Sequence, residues 1–131
     1  GYMFSTAMTP QAAGSLCKSL ELIVDEPERR ERLWENIRYF RKNLKTLGFD
    51  MGKSQTAIFP LIIADDFKVK ELCRRLDEQN IYVNPVFYPA VSKKLARVRL
   101  SLMCGHTREH LDVVLNALED LGREYSIIKP R

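Results

Sequence analysis

Apolar residues fall at steps of three and four in four stretches of the chain, which is the spacing of one face of an α-helix. The clearest stretch precedes Gly48, a residue type that favours the left-handed conformation just after a helix. Its apolar positions are Leu33, Ile37, Phe40, Leu44 and Leu47. Acidic residues near its start and basic residues near its end suit the helix dipole. This pattern predicts a helix with one buried face and one solvated, charged face.

Three further helices are predicted around this one. The first begins at Thr9-Pro10, where a capping hydroxyl precedes a first-turn proline, and it ends or bends at residues 25–27. The next begins at Asp65 or Asp66, because a carboxylate there can accept hydrogen bonds from the first-turn N–H groups. The last begins at Thr107 for the same reason.

Two apolar runs predict strands at residues 57–64 and 81–84. The first run is nearly continuous, which favours cover on both faces for part of its length. Pro60 lacks an N–H group for the sheet, so this strand is expected at an edge or at a bulge. Pro85 is expected to end the second strand, and residues 122–131 are expected to fray.

A third predicted strand, at residues 96–102, alternates apolar and polar side chains. Because successive side chains of a strand point to opposite faces, Val98 and Leu100 face one side while Arg97 and Arg99 face the other. The two like charges repel each other unless both are solvated or an anion lies between or above them. A guanidinium binds carboxylate or phosphate through paired hydrogen bonds. The pattern indicates either a solvated strand face or a site for an anionic ligand.

The predicted order is helix, helix, strand, helix, strand, strand, helix. This order is typical of an α+β fold, here with a small mixed or antiparallel sheet of about three strands and helices on one face. The chain has 131 residues, which is enough for one domain with its own core.

Composition excludes several classes of function. Hydrophobic residues make up 45% and charged residues 29%, as in ordinary soluble domains, and no apolar run reaches the roughly 20 residues of a membrane span. No signal peptide is visible. The net charge of +4 is interleaved with acidic residues, and no nucleic-acid-binding motif is present, so we expect no nucleic-acid partner. An odd number of widely spaced cysteines is typical of the reduced thiols of a cytoplasmic protein.

Neither a metal site nor a catalytic nucleophile is predicted. Cys104, His106 and His110 lie close in sequence, but a zinc site needs three or four convergent ligands, and the turn and helix need not bring these together. A cysteine nucleophile needs a positioned base. Cys17 and Cys73 fall on the apolar stripes of helices, where we expect them to be buried and inert.

Several segments resemble, in their order and spacing, those of the α-oxoamine synthases. They are residues 4–10, 47–50, 54–60, 83–86 and 96–102, followed by the turn at 106–107. This family includes 8-amino-7-oxononanoate synthase, glycine C-acetyltransferase (2-amino-3-ketobutyrate CoA ligase), 5-aminolevulinate synthase and serine palmitoyltransferase. The resemblance covers the chain from residue 4 to about residue 121.

The resemblance implies a homodimeric enzyme of the aspartate-aminotransferase fold type that condenses an amino acid with an acyl-CoA on pyridoxal phosphate. This chain is similar only to the C-terminal portion of that family, whose Schiff-base lysine lies further upstream. The resemblance therefore implies that residues 1–24 lead from a cofactor domain and that residues 25–131 form the C-terminal small domain. It also implies that the chain contains no catalytic residue and is inactive alone.

By the same resemblance, Arg99 matches the arginine that binds the substrate carboxylate, and Arg97 matches a supporting charge. Ser5 and Thr6 match a segment that reaches across the dimer toward the cofactor phosphate. The loop at 88–94 departs from the family pattern near the acyl-CoA entrance, so the sequence does not identify the acyl group. A stand-alone, non-catalytic α+β module that binds anions or proteins is the alternative.

Overall fold

The computed structural model describes residues 7–129, which form helices and a three-stranded sheet. The helices are α1 (Pro10–Asp25), α2 (Pro27–Leu47), α3 (Asp66–Asp77) and α4 (Arg108–Glu124). The strands are β1 (Ile58–Ile62), β2 (Asn84–Val86) and β3 (Arg97–Ser101), and a short 3-10 helix at Lys93–Leu95 precedes β3. Within the described range, no helix combines the length and the apolar character needed to cross a membrane.

The predicted capping residues begin three of the helices. Side-chain oxygens of Thr9, Asp65 and Thr107 each accept a hydrogen bond from a backbone N–H in the first turn of α1, α3 and α4, respectively. At the break between α1 and α2, Pro27 starts the second helix directly after a non-helical residue. Gly48 ends α2 with a φ of +95°, the left-handed conformation in which a residue without Cβ is least strained.

Strand β3 lies at the centre of the sheet and pairs antiparallel with β1 on one side and with β2 on the other. Phe59 lies opposite Leu100, and Leu61 lies opposite Val98; all four are buried beneath the helices. Pro60 therefore occupies an edge strand, where a missing N–H is tolerated. The α+β prediction is confirmed, and the sheet is antiparallel throughout.

Helices α2, α3 and α4 supply most of the rest of the core, on one face of the sheet. Their fully buried side chains include Phe40, Leu44, Val69, Leu72, Leu76, Leu111, Leu118 and Leu121. The opposite face, which we call the open face, bears Ile58, which is 46% exposed. The helices within residues 7–129 lie on the other side, so β1 shows only part of the expected cover on both faces: Pro60 and Ile62 are half-buried on the open face.

The second strand lies later than predicted. It runs over Asn84–Val86 instead of residues 81–84, so Pro85 lies inside the strand rather than ending it. An edge position explains this, since β2 pairs only with β3 and the proline needs no partner on its outer side. Ile81 instead packs into the core.

As far as residue 129, where the description ends, the C-terminal segment is packed rather than frayed. The backbone N–H groups of Ile127 and Ile128 both donate to the carbonyl oxygen of Gly122, at 2.8 and 3.1 Å, and Ile128 is buried. A Cβ atom added at Gly122 would lie 2.8 Å from Cζ of Phe49 and 3.2 Å from side-chain atoms of Ile128. The glycine leaves the space that these two side chains fill.

No side chain of α1 is buried within the described range. Four of its five larger apolar residues are more than half exposed, and Leu22 is half-buried; the exposed ones are Leu16, Leu20, Ile23 and Val24. Cys17 is exposed as well, so the expectation that it is buried is wrong: helical spacing identifies an apolar stripe but not what covers it. Cys73 on α3 is half-buried, and its burial raises the pKa of the thiol to about 11.

Candidate anion-binding site

The candidate site lies on the open face of the sheet and is centred on Arg99. The alternation of β3 buries Val98 and Leu100 and leaves Arg99 exposed. Because directly paired residues share a face, the side chains of Pro60 on β1 and Asn84 on β2 flank Arg99. The central strand thus presents a guanidinium between one apolar and one polar neighbour.

Arg97 shares this face one position nearer the start of β3. It is half-buried between Ile62 on β1 and Val86 on β2. Its Nε donates to the carbonyl oxygen of Leu95 at 2.8 Å. This bond fixes Arg97 to the 3-10 helix that leads into the strand.

Arg99 makes no hydrogen bond and no ion pair with any residue in the range 7–129. The three strands of the sheet carry no acidic residue, so no strand carboxylate neutralises either arginine. The strands also carry no histidine, lysine or cysteine. This face can therefore bind an anion through charge-assisted hydrogen bonds, but its strands offer no base that could transfer a proton or activate the Ser101 hydroxyl.

Arg41 shapes the segment that enters β1 beside the site. Its guanidinium donates to the carbonyl oxygens of Ser54 and Thr56, the latter at 3.3 Å, and its central carbon lies 5.1 Å from the centroid of the Phe59 ring. The Thr56 hydroxyl accepts a hydrogen bond from the backbone N–H of Ile58 at 3.2 Å. Arg41 is one of the basic residues near the end of α2 that suit the helix dipole, and nothing in the sequence indicates that its side chain reaches this segment.

The other two predicted ligands, Ser5 and Thr6, precede residue 7 and lie outside the described residues. The loop at 88–94 runs into the 3-10 helix Lys93–Leu95, which begins after Ser92. This short helix lies directly ahead of β3.

The two histidines have structural contacts. His106 Nδ1 accepts from the backbone N–H of Met103 at 3.2 Å, and the His106 carbonyl oxygen accepts from the buried side chain of Asn36 at 2.9 Å. His110 and Thr107 form a capping box, in which each side chain accepts from the other's backbone N–H. Among the described residues, no three histidine, cysteine or acidic side chains are grouped so that they could hold a metal ion.

A separate apolar cleft of about 510 Å³ lies at the helix side of the sheet. Its walls include Ile81, Tyr82, Leu102 and Met103, and Arg99 is not among the lining residues. The cleft is therefore distinct from the candidate anion-binding site.

The chain is similar to known proteins over nearly its whole length. Residues 1–118 match the family described as aminotransferase class I and II. The 8-amino-7-oxononanoate synthase of Symbiobacterium thermophilum is 42% identical over 127 residues, which are 97% of this chain and 32% of that protein. The 8-amino-7-oxononanoate synthase/2-amino-3-ketobutyrate coenzyme A ligase of Thermus thermophilus is 41% identical over 128 residues, 98% of this chain and 32% of that protein.

A solved structure shows the same fold. The serine palmitoyltransferase of S. paucimobilis, solved with PLP and myriocin bound, matches with a TM-score of 0.85 and 28% identity, covering 97% of this chain and 32% of that one. The chain spans about a third of the length of the curated relatives it matches. These matches confirm the resemblance to the α-oxoamine synthases. The chain belongs to the aminotransferase class I and II family.

Proposed function

We propose that this chain is the C-terminal part of a pyridoxal-phosphate-dependent acyltransferase that condenses an amino acid with an acyl-CoA. The unpaired guanidinium of Arg99 on the open face carries this proposal, because a substrate amino acid brings a carboxylate of matching charge and shape. The relatives support it, since they are named as 8-amino-7-oxononanoate synthases and serine palmitoyltransferases.

The described residues fit the substrate better than they fit the cofactor. None of the lysines in residues 7–129 is buried, so this part of the chain offers no enclosed amine for a Schiff base. We assign that lysine to the part of the protein that corresponds to the other two thirds of the relatives. Bound there, pyridoxal phosphate supplies an electron sink for the carbanion chemistry.

The contribution of this chain is binding and orientation. Arg99 fixes one end of the amino acid through its carboxylate, which limits the positions that the α-carbon can take. Holding a reactant in this way lowers the entropic part of the barrier. Arg97 adds positive charge to the same face from a position fixed by Leu95.

The finer assignments belong to the same proposal. Residues 1–24 connect to the cofactor domain and residues 25–131 form the small domain; the exposed apolar stripe of α1 supports this, since it needs a covering surface. The enzyme is a cytoplasmic homodimer in which Ser5 and Thr6 approach the cofactor phosphate, as the family resemblance implies. Glycine C-acetyltransferase is one of the activities within this proposal, and the name of the Thermus relative supports it.

The test is a visible absorbance titration of the full-length protein with pyridoxal phosphate. Glycine, alanine and serine are added in turn, with acetate as a control carboxylate that lacks the amine. We expect the cofactor band to shift with at least one amino acid and not with acetate. A cofactor band that none of the amino acids shifts would contradict the proposal and favour the non-catalytic anion-binding module.

A further inference from the structure

The stretches of the chain that build the sheet carry no carboxylate side chain. Residues 51–64 contain β1, and residues 79–108 contain β2, the 3-10 helix and β3; neither stretch includes an aspartate or a glutamate. Together they carry six lysines and arginines, which is more than the net charge of +4 of the whole chain. The excess of positive charge therefore lies in these two stretches, where it attracts anions.

No lysine or arginine of these two stretches forms an ion pair within residues 7–129. Each basic side chain in the described ion pairs lies on one of the four helices. The carboxylates of the neighbouring helix α3 have other contacts: Asp65 accepts from backbone N–H groups of its own helix, and Glu71 pairs with Arg74 at 3.0 Å. The positive charge ahead of β3 is therefore not neutralised by the described chain.

Two of these charges, Lys93 and Lys94, lie side by side on the 3-10 helix, and both are exposed. The backbone there is fixed. The N–H group of Ala96 donates to the carbonyl oxygen of Lys93 at 3.2 Å, and the carbonyl oxygen of Ala96 accepts from the N–H groups of Ile63 and Ala64, both at 2.9 Å. The end of β1 thus holds the turn from which the two lysines project.

A third charge lies against the same turn. The Nε atom of Arg97 donates to the carbonyl oxygen of Leu95, the last residue of the 3-10 helix, at 2.8 Å. Residues 93 and 97 are separated by less than about 15 Å at Cα, even for an extended chain. We call Lys93, Lys94 and Arg97 the basic turn; it adjoins Arg99, which is two residues further along β3.

The amino acid does not account for this much charge. It brings one carboxylate, which the guanidinium of Arg99 matches alone. The second substrate of the proposed reaction, an acyl-CoA, carries a pyrophosphate and a 3′-phosphate, and a phosphate monoester alone has a charge of about −1.5 to −2 at pH 7. Lysine ammonium groups bind phosphate as compact point charges, so adjacent lysines suit a ligand with several phosphate groups.

We propose that the basic turn binds the phosphate groups of the coenzyme A moiety: Lys93 and Lys94 donate to phosphate oxygens, and Arg97 adds positive charge beside them. This inference rests on the proposed function, since it assumes that the enzyme uses an acyl-CoA. It assigns the two substrates to neighbouring but separate groups of this chain, the amino acid to Arg99 and the phosphates of coenzyme A to the turn that precedes it.

The test measures the dissociation constants of coenzyme A and of the amino acid by calorimetry in the full-length holoenzyme. We expect Lys93→Ala/Lys94→Ala to raise the dissociation constant of coenzyme A about three- to thirtyfold, the value of two exposed ion pairs, and that of the amino acid less than about twofold. Added salt should weaken coenzyme A binding more steeply in the wild-type enzyme than in this variant. Arg99→Ala should show the reverse selectivity.

Matched variants separate phosphate binding from a general effect of charge. Lys42→Ala/Lys45→Ala removes the same charge from exposed positions on α2 and should leave the affinity for coenzyme A within about 1.5-fold. Lys93→Arg/Lys94→Arg keeps the charge and should stay within about threefold of wild type, whereas Lys93→Glu/Lys94→Glu should bind more weakly than the alanine variant. Lys93→Gln/Lys94→Gln gives the same comparison if the alanine variant is unstable.

The outcomes distinguish this inference from the function on which it rests. A wild-type enzyme that binds coenzyme A, with equal losses in the two alanine pairs or no loss in the Lys93/Lys94 pair, would overturn the inference alone. Equal losses of coenzyme A and amino-acid affinity in the Lys93/Lys94 variant would overturn it too. A wild-type holoenzyme that binds no coenzyme A would overturn the acyl-CoA part of the proposed function together with this inference.

Discussion

Arg97 and Arg99 project from the same face of β3, yet only Arg97 is hydrogen-bonded to the described chain. Its Nε donates to the carbonyl oxygen of Leu95 at 2.8 Å, whereas Arg99 has no partner within residues 7–129. Two residues of identical type on one strand face thus have different surroundings, since Arg97 is half-buried and Arg99 is exposed. Arg97 is fixed by the turn before the strand, and Arg99 is free to bind a ligand.

Arg41 should stabilise the entry to β1. Arg41→Ala leaves the carbonyl oxygens of Ser54 and Thr56 without their donor and removes the contact with Phe59, so we expect the free energy of unfolding to fall by about 1–2 kcal/mol. Urea unfolding of the 131-residue chain measures it. Arg38→Ala, an exposed change on the same helix, is the control and should stay within about 0.5 kcal/mol. Equal effects of the two variants would show that the contacts of Arg41 with Ser54, Thr56 and Phe59 contribute nothing to stability.

Alanine should have opposite effects at two helical glycines. At Gly122, the added Cβ would meet Phe49 at 2.8 Å and Ile128 at 3.2 Å, so overpacking should outweigh the gain in helix propensity and reduce stability by about 1 kcal/mol. At Gly14, nothing lies within 4 Å, so alanine should stabilise the helix by about 0.5–1 kcal/mol. Thermal or urea unfolding of both variants tests the pair. A stabilising Gly122→Ala would mean that the C-terminal segment does not pack as described.

The Cys73 thiol should react slowly and should link stability to alkaline pH. Because burial raises its pKa from 9.0 to about 11 and also limits access, labelling of Cys73 by a disulfide reagent at pH 8 should be much slower than labelling of the exposed Cys17. The folded state holds this proton more tightly than the unfolded state does. The contribution of the Cys73 thiol to the free energy of unfolding is therefore fully present below pH 9.0, and it is lost as the pH rises toward about 11.

Cys73→Ser removes this titration, so the variant should lose less stability than wild type between pH 9 and pH 11. Parallel pH dependences of the two proteins would contradict the assignment. Cys17→Ser is the matched control, since its side chain is exposed on α1.

Sequence patterns predicted the elements whose signals are local. The helical spacing of α2 and α4 and the caps at Thr9 and Thr107 depend on residues within one or two turns, and the structure confirms them. The position of β2 depends on pairing with β3, so the apolar run at 81–84 was a poor guide. Glycine often follows the end of a helix, but Gly122 lies within α4. Its lack of a Cβ leaves room for Phe49, which is distant in sequence.

The candidate site was predicted only in part for the same reason. Alternation along β3 placed Arg97 and Arg99 on one face, which the structure confirms. The difference between the two arginines depends on the carbonyl of Leu95 in a 3-10 helix that the sequence did not indicate. The neighbours of Arg99 depend on the strand order and register, so the sequence alone does not show that Pro60 and Asn84 flank it.

The most direct test of the central claim is the amino-acid dissociation constant of the full-length holoenzyme carrying Arg99→Ala, compared with Arg97→Ala. Loss of a charge-assisted contact to the carboxylate should weaken binding about tenfold to hundredfold in the Arg99 variant. The Arg97 variant should stay within about threefold, because its Nε is already bonded to Leu95. Arg99→Lys should recover part of the affinity, since it restores charge without the paired geometry. An Arg99→Ala enzyme that binds the amino acid within about threefold of wild type would contradict the assignment of this residue to the substrate carboxylate.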